Sequence, residues 1–104
     1  MTLALTAETR KFLRITLLRT LNAGSRLGIP FSGVGGITTA VRINPTLREV
    51  DDATLRREMD YLLDGSADSP ALAAEVPQTI SPELTSYRIT KAGRDWLATN
   101  GLDG

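Results

Sequence analysis

The sequence contains no cysteine and no histidine. Their absence excludes disulfides and Cys/His zinc sites, and it removes the two side chains most often used as nucleophile and base near neutral pH. The adjacent Asp51 and Asp52 do not make up for this loss, because neighbouring residues point their side chains in different directions. We therefore expect no enzymatic activity, no bound metal and no cofactor.

Long apolar runs and aromatic residues are also scarce. No stretch approaches the roughly 20 apolar residues that a membrane helix needs. The N-terminal residues 1–5 lack the basic region of a signal peptide. Aromatic residues make up 5% of the chain, too few for a stacking surface of the RNA-binding kind. These features predict a soluble, cytoplasmic protein that does not enter membranes.

The formal net charge is zero, but the charges are unevenly distributed. Residues 1–50 carry seven basic and two acidic side chains, whereas residues 51–104 carry five basic and ten acidic side chains. A chain polarised in this way is able to present a basic face while remaining neutral overall.

Three helices are predicted in the first two thirds of the chain. Apolar residues at helical spacing indicate a first helix over 7–22, with Thr6 as its N-cap, and a weaker second helix over Val34–Ile43. A third helix has Asp51 or Asp52 as its N-cap, is terminated by Gly65, and places four apolar residues on one face: Leu55, Met59, Leu62 and Leu63.

The last third predicts two strands and a closing helix. Strands are expected over 72–76 and 87–90, joined by a long proline-containing connection, and the closing helix over 91–99 has Thr90 as its N-cap. Residues 27–29 have room for only a very short strand. We therefore predict one α+β domain spanning 1–104, with its core at about 7–99. It is mainly α with a small β-hairpin, in the order helix, helix, helix, strand, strand, helix.

Two segments resemble winged helix-turn-helix proteins. One is Tyr87-Arg88-Ile89-Thr90-Lys91-Ala92-Gly93-Arg94. It is similar to the segment in which the last wing strand of that family leads into a closing helix. Thr54-Leu55-Arg56-Arg57-Glu58-Met59-Asp60-Tyr61-Leu62 resembles the third helix of small winged-helix proteins of bacteria and bacteriophages. The resemblance covers roughly residues 7–99 and implies a small DNA-binding transcriptional regulator of the kind that phages and prophages encode.

In that family the third helix usually enters the major groove of double-stranded DNA, and the wing contacts a neighbouring groove or the backbone. The resemblance therefore implies base contacts from the third helix and phosphate contacts from arginines around it. The implied nucleic-acid-binding residues are Arg42, Arg48, Thr54, Arg56, Arg57, Tyr61 and Arg88.

Arg56 and Arg57 have an equally favoured alternative interpretation as solvated surface charges. Arg56 precedes Asp60 by four residues, a spacing that allows a weak surface ion pair. The third helix also carries five acids that would oppose phosphates: Asp51, Asp52, Glu58, Asp60 and Asp64. On the first helix, Arg10, Lys11 and Arg14 form a basic patch for which a solvated helix face is the favoured interpretation over phosphate contact.

Several other features favour structural roles. The glycine-rich segment 33–38 lacks the Gly-Lys-Ser/Thr of a phosphate loop and is interpreted as a turn before the second helix. Tyr87 and Trp96 fall on the apolar faces of their elements and are expected in the core.

A second functional class is a protein-interaction module that binds no DNA. Zero net charge and the acids of the third helix favour it. Leu3, Leu5 and the wide apolar stripe of the first helix suggest more apolar surface than one small core needs, which predicts a homodimer.

Overall fold

The computed structural model describes residues 6–24, 28–65, 68–76 and 85–100. Within these ranges lie four α-helices, one short 3-10 helix and three β-strands. In chain order they are α1 (Ala7–Ala23), β1 (Ile29–Pro30), α2 (Ile37–Arg42), the 3-10 helix (Pro45–Leu47), α3 (Asp52–Leu63), β2 (Ala73–Val76), β3 (Ser86–Ile89) and α4 (Lys91–Asn100). The predicted α+β class, mainly helical with a small amount of sheet, is confirmed.

Helix α1 begins and ends as predicted to within one residue. The Thr6 hydroxyl accepts a hydrogen bond from the N–H of Thr9 at 3.0 Å, which satisfies one of the free donors of the first turn. The apolar stripe of the helix is buried inside this one chain, through Leu13, Ile15, Leu17, Leu18 and Leu21. The stripe is therefore no argument for a dimer. Leu3 and Leu5, the other part of that argument, lie outside the described residues.

Helix α2 is shorter than predicted, and the placement of Val34 within it is wrong. The helix begins at Ile37, and Val34 stands fully exposed in the turn before it. Gly33 and Gly35 adopt positive φ angles of 99° and 81°, a conformation that no helix contains and that L-residues with side chains rarely adopt. The glycine-rich segment is thus a turn, as predicted.

Helix α3 follows the predicted pattern closely. Asp51 is its N-cap and accepts a hydrogen bond from the N–H of Thr54 at 2.8 Å. The predicted apolar face is buried at Leu55, Met59 and Leu62, and Leu63 is half-buried against the same core. The opposite face is open to solvent over the length of the helix.

The sheet has one more strand than predicted. Its order is β1-β3-β2, both pairings are antiparallel, and Ile29 lies opposite Tyr87 while Ala73 lies opposite Ile89. Residues 27–29 predict only a very short strand, and β1 is two residues long, but the predicted order of elements does not include it. It contributes the third strand because β3 offers it a partner. Most of the connection between β2 and β3, the predicted wing, lies outside the described residues.

Thr90 joins the sheet to α4. Its hydroxyl accepts a hydrogen bond from the N–H of Gly93 at 3.0 Å and donates one to the carbonyl of Ala71 at 2.7 Å. Gly93 then packs so closely that a Cβ atom placed on it would lie 2.1 Å from the carbonyl oxygen of Leu72. The predicted N-cap role of Thr90 is confirmed, and α4 is held directly against the residues that lead into β2.

None of the helices in the described part of the chain combines the length and apolarity needed to cross a membrane.

Candidate nucleic-acid interface

The exposed face of α3 carries most of the predicted contact residues. Arg56, Arg57, Asp60 and Tyr61 are exposed, and Thr54 is half-buried near the start of the helix. Because successive residues turn by about 100°, Arg56 and Tyr61 lie on opposite flanks of this face, with Arg57 between them. The structure thus brings Arg56, Arg57 and Tyr61 onto one surface of α3. The side chains at the two edges of this surface, Arg56 and Tyr61, contact different parts of the chain.

Arg56 leans towards the sheet. Its guanidinium carbon lies 4.3 Å from the centre of the Phe31 ring, and Phe31 meets Tyr87 edge to face, with ring centres 6.4 Å apart. Such a cation–π contact contributes about 0.5–1 kcal/mol at an exposed site. Arg56 thus lies against Phe31, and no ion pair joins it to Asp60 among the described residues.

Tyr87 forms the inner end of this stack. It is half-buried and packs against the hydrophobic core, in agreement with its predicted role. Burial raises the pKa of its hydroxyl above the usual value of 10.0, and the nearby charge of Glu75 acts in the same direction. The Tyr87 ring therefore provides a neutral, apolar support for Phe31.

Tyr61 leans the other way, towards α1. The guanidinium carbon of Arg14 lies 3.9 Å from the centre of the Tyr61 ring. Arg14 also donates from Nε to Oε1 of Glu58 at 2.7 Å, and Arg10 approaches Oε2 of the same carboxylate at 3.6 Å. The basic patch predicted on α1 is therefore not a simple solvated face, because two of its three cations engage Glu58.

Glu58 itself is the unexpected residue. It lies on α3 but only 5% of it is exposed, so it points away from the exposed face of the helix. Its two oxygens are both engaged by arginines of α1. The sequence offered one signal for this position, since Glu58 lies one turn after Leu55 and one turn before Leu62, on the buried side of the helix.

The start of α3 is bordered by arginines from the preceding segment. Arg42, the last residue of α2, forms an ion pair with Asp52 through Nη2 and donates from Nη1 to the carbonyl of Arg48 at 3.3 Å. The Arg48 side chain is exposed in the turn before α3. Arg42 and Arg48 are thus both brought next to the first turn of α3, but Arg42 is already bound to a carboxylate.

Asp51 is also engaged at this end of the helix. Hydrogen bonds from the Thr54 side chain and then from its backbone N–H hold the pKa of Asp51 below its usual value of 3.8, and the charge of Arg57 contributes less. Burial opposes these effects but does not outweigh them.

Arg88 is the one predicted residue that the structure sets apart. It is exposed at the middle of β3, opposite Ala74 of β2. Because successive strand residues point to opposite faces of a sheet, its side chain leaves the face that carries Tyr87 and Ile89. Arg88 therefore does not extend the surface formed by Arg56 and Arg57.

A cleft that sequence analysis missed lies beside the end of α3. It has a volume of about 550 Å³. Half-buried Leu72, Ala92 and Trp96 contribute apolar surface to its lining, and exposed side chains surround them: Tyr61, Asp64, Asp68 and Asp95. Trp96, predicted as core, packs against the core with one part and lines this cleft with another. Only the acid excess of residues 51–104 pointed towards such a site.

The described residues contain no group of three or more acidic side chains arranged to hold a metal ion. No family model matches the sequence, and no curated protein or solved structure was found to match it.

Proposed function

We propose that this chain is a small winged-helix protein that binds double-stranded DNA through the N-terminal half of α3, as a transcriptional regulator of the kind found in bacteria and their phages. The order of three helices, two paired strands and a closing helix supports the winged-helix assignment. The additional strand β1 is compatible with it, because it only extends the paired strands by one edge strand on β3.

The orientation of Glu58 is the observation that carries the proposal. An acid on the exposed face of α3 would repel phosphates, and the sequence places five acids on or beside this helix. Glu58 turns inward and is neutralised by Arg14 and Arg10. It therefore adds little negative potential to the surface that would meet DNA.

The other four acids on or beside α3 differ in how strongly they would oppose DNA, according to their position along the helix. Asp51 caps the helix and Asp52 binds Arg42, so both acids of the first turn are engaged within the chain. Asp60 lies in the second half of the helix and Asp64 is its C-cap residue. The first half of α3 is thus the part least opposed to phosphate, and it is also the part of a recognition helix that usually contacts base edges.

Within this region Arg57 is the best-placed arginine. It is exposed at the centre of the face, between the flanks occupied by Arg56 and Tyr61. An arginine in this position is able to bind guanine O6 and N7 with two hydrogen bonds. Arg48 and Arg56 would contact phosphates on either side, whereas the Thr54 hydroxyl is already hydrogen-bonded to Asp51.

The test is fluorescence anisotropy of the protein with labelled random duplex DNA over a series of salt concentrations. We expect micromolar binding whose logarithm falls steeply with the logarithm of salt concentration, because several phosphates would be neutralised. The double variant Arg56→Gln with Arg57→Gln should bind at least about tenfold more weakly and show a shallower salt slope.

The matched control is Lys91→Gln with Arg94→Gln, which removes the same charge from exposed positions of α4. This variant should lose much less affinity. Equal losses of affinity in the two double variants would show that binding depends only on net charge, and would overturn the assignment of α3 as the DNA-binding helix. No binding by the wild type even at low salt would overturn the DNA-binding proposal as a whole.

A protein-interaction module, including a homodimer, remains our second proposal. Val34 and Ile43 favour it, since both are large apolar residues near the ends of α2 and are 104% and 73% exposed. Analytical ultracentrifugation over a wide concentration range tests the homodimer. A shift from monomer to dimer that Val34→Ser with Ile43→Ser abolishes would support it, and a monomer at every concentration would exclude it.

A further inference from the structure

The cleft beside the end of α3 combines two kinds of surface. Leu72, Ala92 and Trp96 contribute apolar surface and are only half-buried, so they still present accessible area. Asp64 at the end of α3, Asp68 in the following loop and Asp95 on α4 are exposed around them. The cleft is therefore apolar in one part of its lining and acidic in another.

The charges of the lining all have one sign. No lysine or arginine is among the described residues that line the cleft. Lys91 and Arg94 flank lining residues of α4 but are not part of the lining, and Arg14, which lies over the Tyr61 ring, is paired with Glu58. Since three carboxylates share one concave surface, the cleft attracts positive charge.

The aromatic residues add a second preference for cations. Tyr61 and Trp96 both line the cleft, and tryptophan is the side chain that binds cations best on its ring face. One face of the Tyr61 ring already carries the guanidinium group of Arg14.

We propose that this cleft binds a basic peptide segment of a partner protein through an arginine or lysine side chain. Such a side chain has an aliphatic stem and a charged end, which matches an apolar lining beside carboxylates. The stem would pack on Leu72 and Trp96, and the charged end would lie among Asp64, Asp68 and Asp95. The proposal does not rest on DNA binding, because it uses the opposite half of α3 together with α4.

Trp96 is the only tryptophan of the chain, so its fluorescence reports directly on the cleft. The probe is a synthetic Gly-Leu-Arg-Gly-Leu-Arg-Gly amide, compared with the same peptide carrying glutamine in place of both arginines. We expect a saturable change in Trp96 emission with the arginine peptide and at least about tenfold weaker binding of the glutamine peptide. Equal responses to the two peptides, or no response to either, would overturn the proposal.

Two double variants distinguish binding in the cleft from a general attraction of the peptide to negative charge on the protein. Asp64→Asn with Asp95→Asn should weaken the arginine peptide by about tenfold. The control, Asp60→Asn with Glu75→Gln, removes two exposed acids that do not line the cleft and should change binding by less than about threefold. Similar losses in the two variants would contradict the proposed site.

Two further arms distinguish other occupants. Free arginine amide should bind much more weakly than the peptide, because it makes no backbone or leucine contacts. If free arginine amide bound as tightly as the peptide, the ligand of the cleft would be a small organic cation and the proposal of a peptide would fail. If the protein self-associates at the concentrations of the titration, and the Asp64→Asn, Asp95→Asn variant does not, the occupant would be a second copy of the chain and the proposal of a partner would fail.

Discussion

The Nε atom of Arg14 lies 2.7 Å from Oε1 of Glu58 and joins the first helix to the third. The same guanidinium group lies over the ring of Tyr61, one turn further along α3. A single side chain of α1 therefore fixes both a buried acid and an exposed aromatic residue of the helix that we propose to meet DNA.

Removal of the Glu58 carboxylate is expected to destabilise the fold. Glu58→Ala leaves Arg14 without its partner, and we expect a loss of about 1.5–3 kcal/mol in the free energy of unfolding, since Arg14 retains some contact with water. Urea denaturation followed by circular dichroism measures it. Asp60→Ala, an exposed acid on the same helix, should change stability by less than about 0.5 kcal/mol. A loss of equal size in the two variants would show that the pair with Arg14 contributes nothing.

Asp51 should stabilise the protein only while it is ionised. Its pKa is lowered in the folded state, chiefly by its hydrogen bonds with Thr54, so its contribution is fully present above the unfolded value of 3.8 and is lost as the pH falls below it. The melting temperature of Asp51→Ala should therefore lie below that of the wild type at about pH 7, and the gap should narrow at about pH 3.

Asp51→Asn is the comparison for this prediction. Asparagine caps helices about as well as aspartate but does not titrate. We expect this variant to stay close to the wild type at neutral pH and to exceed Asp51→Ala at both pH values. A gap between wild type and Asp51→Ala that is independent of pH would refute the role of the charge.

Gly93 should not tolerate alanine, although alanine favours helices. An added methyl group would lie 2.1 Å from the Leu72 carbonyl oxygen and 2.7 Å from Cγ1 of Ile89. We expect Gly93→Ala to reduce the free energy of unfolding by at least about 1–3 kcal/mol, as overpacking does elsewhere. Thr99→Ala, at an exposed position of the same helix, should be nearly neutral. Thermal unfolding compares the two, and a stable Gly93→Ala would mean that α4 shifts freely against the sheet.

Asp52→Asn should strengthen DNA binding. The change removes a negative charge beside the first turn of α3 and releases Arg42 from its ion pair. If Arg42 then reaches a phosphate, affinity should rise about two- to fivefold and the salt slope should become more negative by about 0.9. Fluorescence anisotropy measures both quantities. Adding Arg42→Gln should cancel the gain, and a gain that persists would assign it to the lost aspartate charge alone.

The elements that sequence analysis predicted well are those in which local chemistry and burial agree. Thr6, Asp51 and Thr90 each precede an apolar helical stripe and each caps its helix, as expected. The predicted start of helix α2 was wrong because Val34 fits the apolar spacing of a helix, while the positive φ angles of Gly33 and Gly35 prevent the helix from extending to it. Backbone conformation decided the outcome there.

The candidate site was predicted only in part, because its contacts join residues far apart in the chain. Arg56, Arg57 and Tyr61 share a helix, and their exposure follows from its periodicity. Their partners lie elsewhere in the chain: Arg56 covers the ring of Phe31, just after β1, and the Tyr61 ring is covered by Arg14 of α1. No local pattern specifies those partners. The acidic cleft likewise needs α4 to pack beside the end of α3, which a one-dimensional pattern does not contain.

The pairing of β1 with β3 has a consequence for how the chain folds. The central strand of the sheet comes late in the sequence, and its partner on one side is a two-residue strand near residue 30. Contacts between such distant segments form slowly, because a long loop must close before they contribute energy. A nascent chain that has not yet emerged as far as residue 89 lacks the strand on which both others pair. We therefore expect the sheet to form only after β3 has been synthesised, and expect any truncation that removes β3 to abolish the sheet entirely.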